Sequence, residues 1–148
     1  MNRMLKLKSI TLVEVMLAIA VLAIIMGVSA PVYGSLQRKS NVEMASSQAI
    51  QSLRRAQILA KSSKGDSNWG VKIEPGAITT YQGANFSSRN VQFDERTPIA
   101  PLTSITGLDE VNFSKFSGSP NQTGAITLTT DEVETKTINI NAKGTINY

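Results

Sequence analysis

The sequence predicts an α+β chain: one long N-terminal helix, membrane-spanning in its first half and amphipathic in its second, packed on a small antiparallel β body. Three observations predict it. No charged residue occurs from Val15 to Gln37. Apolar residues then recur at steps of three and four as far as Ala60, the helical period. Beyond Trp69 the apolar residues alternate in short runs separated by Gly, Pro and Asn, which is strand-and-turn patterning.

The apolar segment comes first. Its heart is Val15 to Ala30, and from Ile10 to Tyr33 a helix would rise roughly 36 Å, enough to cross a bilayer. Arg3, Lys6 and Lys8 precede it, and no basic residue follows until Arg38. By the positive-inside rule the N-terminus is cytoplasmic and the body lies on the other side. A cleavable secretory signal is the competing account, with Val28-Ser29-Ala30 as its small-residue site. Pro31 directly after that site fits an extended protease cleft badly, and Glu14 is out of place in a disposable signal.

Within this segment Glu14 and Pro31 stand out. A charge at the bilayer centre costs at least about 2.5 kcal/mol, so it normally has a partner. The segment offers no cation, which points to a neighbouring subunit; the alternative is an interfacial Glu14 favoured by the helix dipole. Pro31 cannot donate to the carbonyl of Gly27, and Gly34 follows, so a kink or melted turn is expected between Gly27 and Gly34.

From Leu36 to about Lys61 the stripe Val42, Ala45, Ala49, Leu53, Ala56, Ala60 predicts a buried helix face, widened by Met44, Ile50 and Leu59. Ser62 to Asp66 ends the helix, with Gly65 as the expected left-handed residue. Unbroken from Ile10 to Ser62, it would span roughly 80 Å. Four divisions follow: a leader at 1–9, the apolar helix at 10–33, its amphipathic half at 34–64, and the β body at 65–148.

In the body, 70–73 and 77–81 flank Pro75-Gly76 as a hairpin. Residues 91–93 and 110–113 are shorter strands. Residues 125–129 and 135–140 alternate and flank an Asp131–Glu134 turn; 145–148 close the body. Residues 83–90 and 95–109 are expected as loops.

Composition excludes much chemistry. The 148 residues include no Cys and no His, which removes disulfides, thiol catalysis and the commonest general base. A single-pass membrane hydrolase would need Ser/Lys or paired carboxylates, and no such motif is present. The chain carries 15 Lys+Arg against 11 Asp+Glu; without Arg3, Lys6 and Lys8 the balance falls to 12 against 11. That argues against a nucleic-acid partner, and Arg54-Arg55 are better placed against the body or a neighbouring chain. The acid pairs Asp94-Glu95, Asp109-Glu110 and Asp131-Glu132 lack calcium-loop spacing and are expected as solvated turn acids. No catalytic residue, metal ligand or cofactor is expected.

The run Lys8-Ser9-Ile10-Thr11-Leu12-Val13-Glu14-Val15 resembles the class III signal of type IV prepilins and pseudopilins, with Pro31 at a matching spacing. Ser9 stands where that family has Gly, and Ile10 where it has Phe. The resemblance implies cleavage between Ser9 and Ile10 by a prepilin peptidase and N-methylation of Ile10. It also implies filament assembly through Glu14 and Pro31 with other pilins or pseudopilins, after storage in membrane lipid. The body resembles the H-type minor pseudopilins and their FimT-like pilus relatives in Ser52–Gln57, Phe116-Ser117-Gly118, Gly124–Leu128 and Ile138–Ile146. That implies a long helix on two small sheets, in a structural subunit of a type IV pilus or type II secretion filament. Its location would be the inner membrane and then the filament. A pilus-tip subunit for DNA uptake or adhesion is the alternative.

Overall fold

The structure, a computed structural model, describes residues 10–100, 104–130 and 134–148, leaving aside the side chains of 28–32 and 35. The leader with Ser9, and the Asp131-Glu132-Val133 turn, lie outside the described residues. Helix α1 runs Leu12–Lys61, followed by a 3₁₀ turn, Lys64–Asp66. Eight strands follow: β1 Trp69–Glu74, β2 Ala77–Gln82, β3 Asn90–Pro98, β4 Ser104–Gly107, β5 Glu110–Phe113, β6 Gly124–Thr130, β7 Glu134–Ile140 and β8 Ile146–Asn147. They form two antiparallel sheets, ordered β3-β2-β1-β5 and β4-β6-β7-β8. The chain divides into two compact units, Met1–Leu36 and Gln37–Tyr148.

In the second unit the helical stripe lies where its period puts it. Ala45, Ala49, Leu53, Ala56 and Ala60 are at most 1% exposed and share one apolar cluster with Trp69, Val71, Phe113, Ile126, Leu128 and Ile138. Four of those five helix residues are alanines, so the helix backbone can approach the sheets closely while Leu53 fills the middle. Met44 departs from expectation: it is 51% exposed, because one helix face cannot hold both it and Ala45. The left-handed residue after the helix is Ser63 (φ 53°), not Gly65 alone, and its N–H donates to the carbonyl of Ala60 at 3.0 Å. The N–H of Phe116 donates to the same carbonyl at 3.1 Å.

The Pro75-Gly76 hairpin is present, pairing Glu74 with Ala77 through Trp69 with Gln82. Two strands correct the expected loop at 95–109. β3 continues to Pro98, where it pairs with Ala77, and β4 pairs Ser104–Gly107 with Ile126–Thr129. Both are outer strands of their sheets, so neither alternates strongly between buried and exposed residues. Gly107 is required in β4: its φ is 83°, and a Cβ there would lie 2.1 Å from the carbonyl oxygen of Ala125. The backbone is helical throughout Gly27–Gly34, so the melted turn expected at Pro31 is absent. One turn can lose a single donor and stay helical when the turns on either side remain bonded.

Candidate functional site

Two regions carry the functional question: the front of α1, and the polar contacts of the body. The front is built on a cap. Ile10 and Thr11 are not helical, and the Glu14 N–H donates to Thr11 Oγ1 at 3.3 Å. The Glu14 N–H also lies 3.1 Å from the Thr11 carbonyl, which the Val15 N–H reaches at 3.3 Å. Thr11 is therefore the N-cap and Glu14 the third helical residue, the spacing of a capping box. The Thr11-Leu12-Val13-Glu14 run thus starts the helix and places a carboxylate in the first turn, where the dipole favours it. The capping role of Thr11 is written in the sequence as S/T-x-x-E before an apolar run.

Behind the cap the helix is apolar and uncovered. Leu12 is 78% exposed, Met16 65%, Ile24 69% and Met26 70%. Contiguous exposed apolar patches of this size are rare on soluble monomers. Among the described residues no helix is long and apolar enough to cross a membrane. The stretch with described side chains, Leu12–Gly27, rises about 24 Å, against a hydrocarbon core of about 30 Å. Beyond Gly27 the expected span continues as helical backbone, with the side chains of 28–32, Pro31 among them, outside those described.

The body's acids are partnered rather than merely solvated, which corrects the expectation for the described ones. Asp94 accepts from Arg89 Nε at 2.8 Å, and Asp109 from Lys72 Nζ at 2.6 Å. Glu95 takes the Arg55 guanidinium on two oxygens. Glu110 accepts from the Tyr81 hydroxyl at 2.8 Å and the Phe86 N–H at 2.9 Å. Burial pushes the Tyr81 phenol up, and the Glu110 carboxylate adds to this against the Asn112 amide. Tyr81 therefore stays a neutral donor to Glu110, and Glu110 ties the 83–90 loop to the sheet through the Phe86 N–H. Among the described residues no group of three or more acids could hold a metal ion.

The two adjacent arginines separate. Arg55 reaches across to β3 and holds the Glu95 carboxyl below its ordinary value of 4.5, chiefly by hydrogen bonding. A carboxyl lowered on folding adds stability above its unfolded pKa and loses it as pH falls through its folded pKa. Glu95→Gln should thus lower stability at pH 7 by less than about 1 kcal/mol, since the pair is solvent-exposed. Urea midpoints of the two proteins should converge on the acid side of 4.5. A difference independent of pH would show that charge is not the cause. Arg54, one residue earlier, has no ion pair among the described residues. Gln57, which sequence patterning did not single out, donates to the carbonyls of Gly118 (3.0 Å) and Gly144 (3.1 Å) and ties two turns to the helix.

No family model, no curated protein and no solved structure matches the chain.

Proposed function

We propose that this chain is a structural, non-catalytic minor pilin or pseudopilin subunit of a type IV pilus or type II secretion filament. A prepilin peptidase cuts between Ser9 and Ile10 and methylates Ile10. The apolar half of the helix, residues 10–33, holds the subunit in the inner membrane as a single pass, with the body outside. On assembly the same surface passes from lipid to the helices of other pilins or pseudopilins, with Pro31 within the stretch that repacks.

The observation that carries this assignment is the uncovered apolar helix behind a capped Thr11-Leu12-Val13-Glu14 start. Such a surface needs a second environment, and a filament core supplies one without changing the side chains. The apolar cluster formed by the second half of α1 and both sheets gives the other part a core of its own. Glu14 supplies selectivity. Removed from water beside an apolar neighbour it is costly, and beside the new Ile10 amine of an adjacent subunit it is neutralised.

Fractionation of the native host tests the proposal. The chain is expected in the membrane fraction and in filaments sheared from the cell surface or recovered from the envelope. A chain found only in the soluble fraction, or only in membranes of cells that carry filaments, contradicts it.

A further inference from the structure

Just past the end of α1 the body has an open cleft of about 350 Å³ in which three pieces of chain meet. The turn after the helix supplies Gly65, Asp66 and Ser67, the end of β2 supplies Gln82, and the loop that follows supplies Ser88 and Asn90. No aliphatic or aromatic side chain lines it. The turn is fixed by its backbone. Gly65 (φ 68°) and Asp66 (φ 53°) are both left-handed. The Asp66 N–H donates to the carbonyl of Ser63 at 2.9 Å, and Trp69 Nε1 donates to the carbonyl of Lys64 at 2.9 Å. A Cβ at Gly65 would collide with Gln82 Nε2, so glycine is what leaves room for that amide.

Each polar side chain of the cleft is held by one bond and keeps a second group unused. Gln82 is only 7% exposed. Its Nε2 donates to the carbonyl of Gly65 at 3.2 Å, while its Oε1 has no partner among the described residues and is not sealed from solvent. Asn90 Oδ1 accepts the Gln92 N–H at 3.3 Å, which leaves the Nδ2 donor. Asp66 Oδ1 accepts from Lys115 Nζ at 2.7 Å, which leaves Oδ2. Ser88 Oγ donates to Asn85 Oδ1 at 2.8 Å and can still accept. Water serves such groups one at a time; a ligand with several hydroxyls serves them together. Charge narrows the ligand further. Lys115 balances Asp66, and the other lining side chains are neutral. An anion would meet Asp66, and a divalent cation would find a single carboxylate, already paired.

We infer that this cleft binds a neutral sugar ring through its neighbouring hydroxyls, with Gln82, Asn90 and Asp66 as the recognising side chains. A sugar hydroxyl donates and accepts at once. It can donate to Gln82 Oε1 or Asp66 Oδ2 and accept from Asn90 Nδ2, and neighbouring hydroxyls on one ring use two of these groups together. The cleft is at the small end of the range for small-molecule sites, which suits one ring, alone or as a unit of a glycan. With no aromatic side chain to stack on, a single ring binds weakly. Repetition of the body would convert weak single contacts into avidity for a surface bearing many such rings. The site belongs to the body alone; only this multiplication rests on the filament assignment.

The test is a titration of the full-length, isotope-labelled chain in dodecylphosphocholine micelles, a detergent without sugar, followed by amide NMR. The probes are glucose, galactose, mannose and N-acetylglucosamine, with cellotetraose and chitotetraose as chains of such rings. At least one neutral sugar should shift the side-chain amide signals of Gln82 and Asn90 and the backbone signals of Gly65–Ser67, saturating at about 1–10 mM. A tetramer that binds no more tightly than its monomer identifies a single or terminal ring, and a tighter tetramer identifies a chain; both support the site. Glucuronate should bind several-fold more weakly than glucose, because its carboxylate meets Asp66. Asn90→Ala and Asp66→Ala should each weaken binding about tenfold, while Gln122→Ala, exposed and outside the cleft, should leave it unchanged. No saturable shift with any of the sugars would overturn the inference. So would shifts that grow linearly and scatter over the body, folded cleft variants that bind as well as the unaltered chain, or a response at these signals to calcium chloride but to no sugar. Should a variant not fold, the titration of the unaltered chain still decides. The readout needs no filament, so it can fail while the filament assignment stands, and the reverse.

Discussion

In a fragment spanning residues 37–148, Leu53→Asp is expected to cost about 4 kcal/mol or more and to leave most molecules unfolded at 37 °C. Leu53 is fully buried, in one cluster with Ala49, Ala56, Val71, Ile126 and Leu128. An aspartate there has no cation in the cluster to pair with, and an uncompensated buried charge costs about 3–5 kcal/mol. A domain of this size has about 5–15 kcal/mol in total, so one substitution removes a third of it or all of it. The unaltered fragment should be soluble and show a mixed α/β circular dichroism spectrum, because every member of the cluster lies between Ala45 and Ile146. Gln51→Asp, two residues away on the exposed face, should change stability by less than about 0.5 kcal/mol. Equal melting temperatures for Leu53→Asp and the unaltered fragment would mean that the helix does not pack on the sheets through this stripe.

Glu14→Val is expected to leave the chain in the membrane and to reduce its incorporation into filaments about tenfold or more. Insertion should be intact because the substitution makes the segment more apolar. Incorporation should fall because a neighbour's amine would be buried without its counter-charge, and each 1.4 kcal/mol or so of lost association is tenfold in affinity. The Thr11 side chain still accepts the N–H of residue 14, so the helix start is preserved and the charge is what changes. Glu14→Gln separates charge from shape: it keeps a polar side chain of the same size and loses the charge. Incorporation of Glu14→Gln at the wild-type level would show that the charge is not needed for assembly, and would remove the intersubunit ion pair.

The parts of this fold that were legible are those where one face is buried. The Ala45–Ala60 stripe and the alternation in 125–129 and 135–140 each report a single apolar environment along a regular element. What was missed lies where that condition fails. Residues 91–93 were legible as a strand, but the continuation of β3 to Pro98 was not: it has no buried residue and is held at Glu95 by an arginine forty residues earlier, so no local pattern marks it. β4 is four residues long and exposed at its end. The partners of Glu110, Asp94 and Gln57 are fixed by tertiary approach, and side-chain identity alone does not select among them. At the front of the helix the reverse held: Thr11 and Glu14 lie three residues apart, and their capping geometry follows from that spacing alone.

The most direct measurement of the central claim is the intact mass and N-terminal sequence of the protein isolated from its native host. A subunit processed for a filament begins at Ile10 with one methyl group on its amine, and Ser9→Leu should block the cut and leave the chain in the membrane at full length. Ser9→Gly should speed the cut if the serine is a poor fit to the peptidase. A mature chain that begins at Met1 would contradict processing, and one that begins at Pro31 would show that residues 1–30 are a secretory signal and that no filament helix remains.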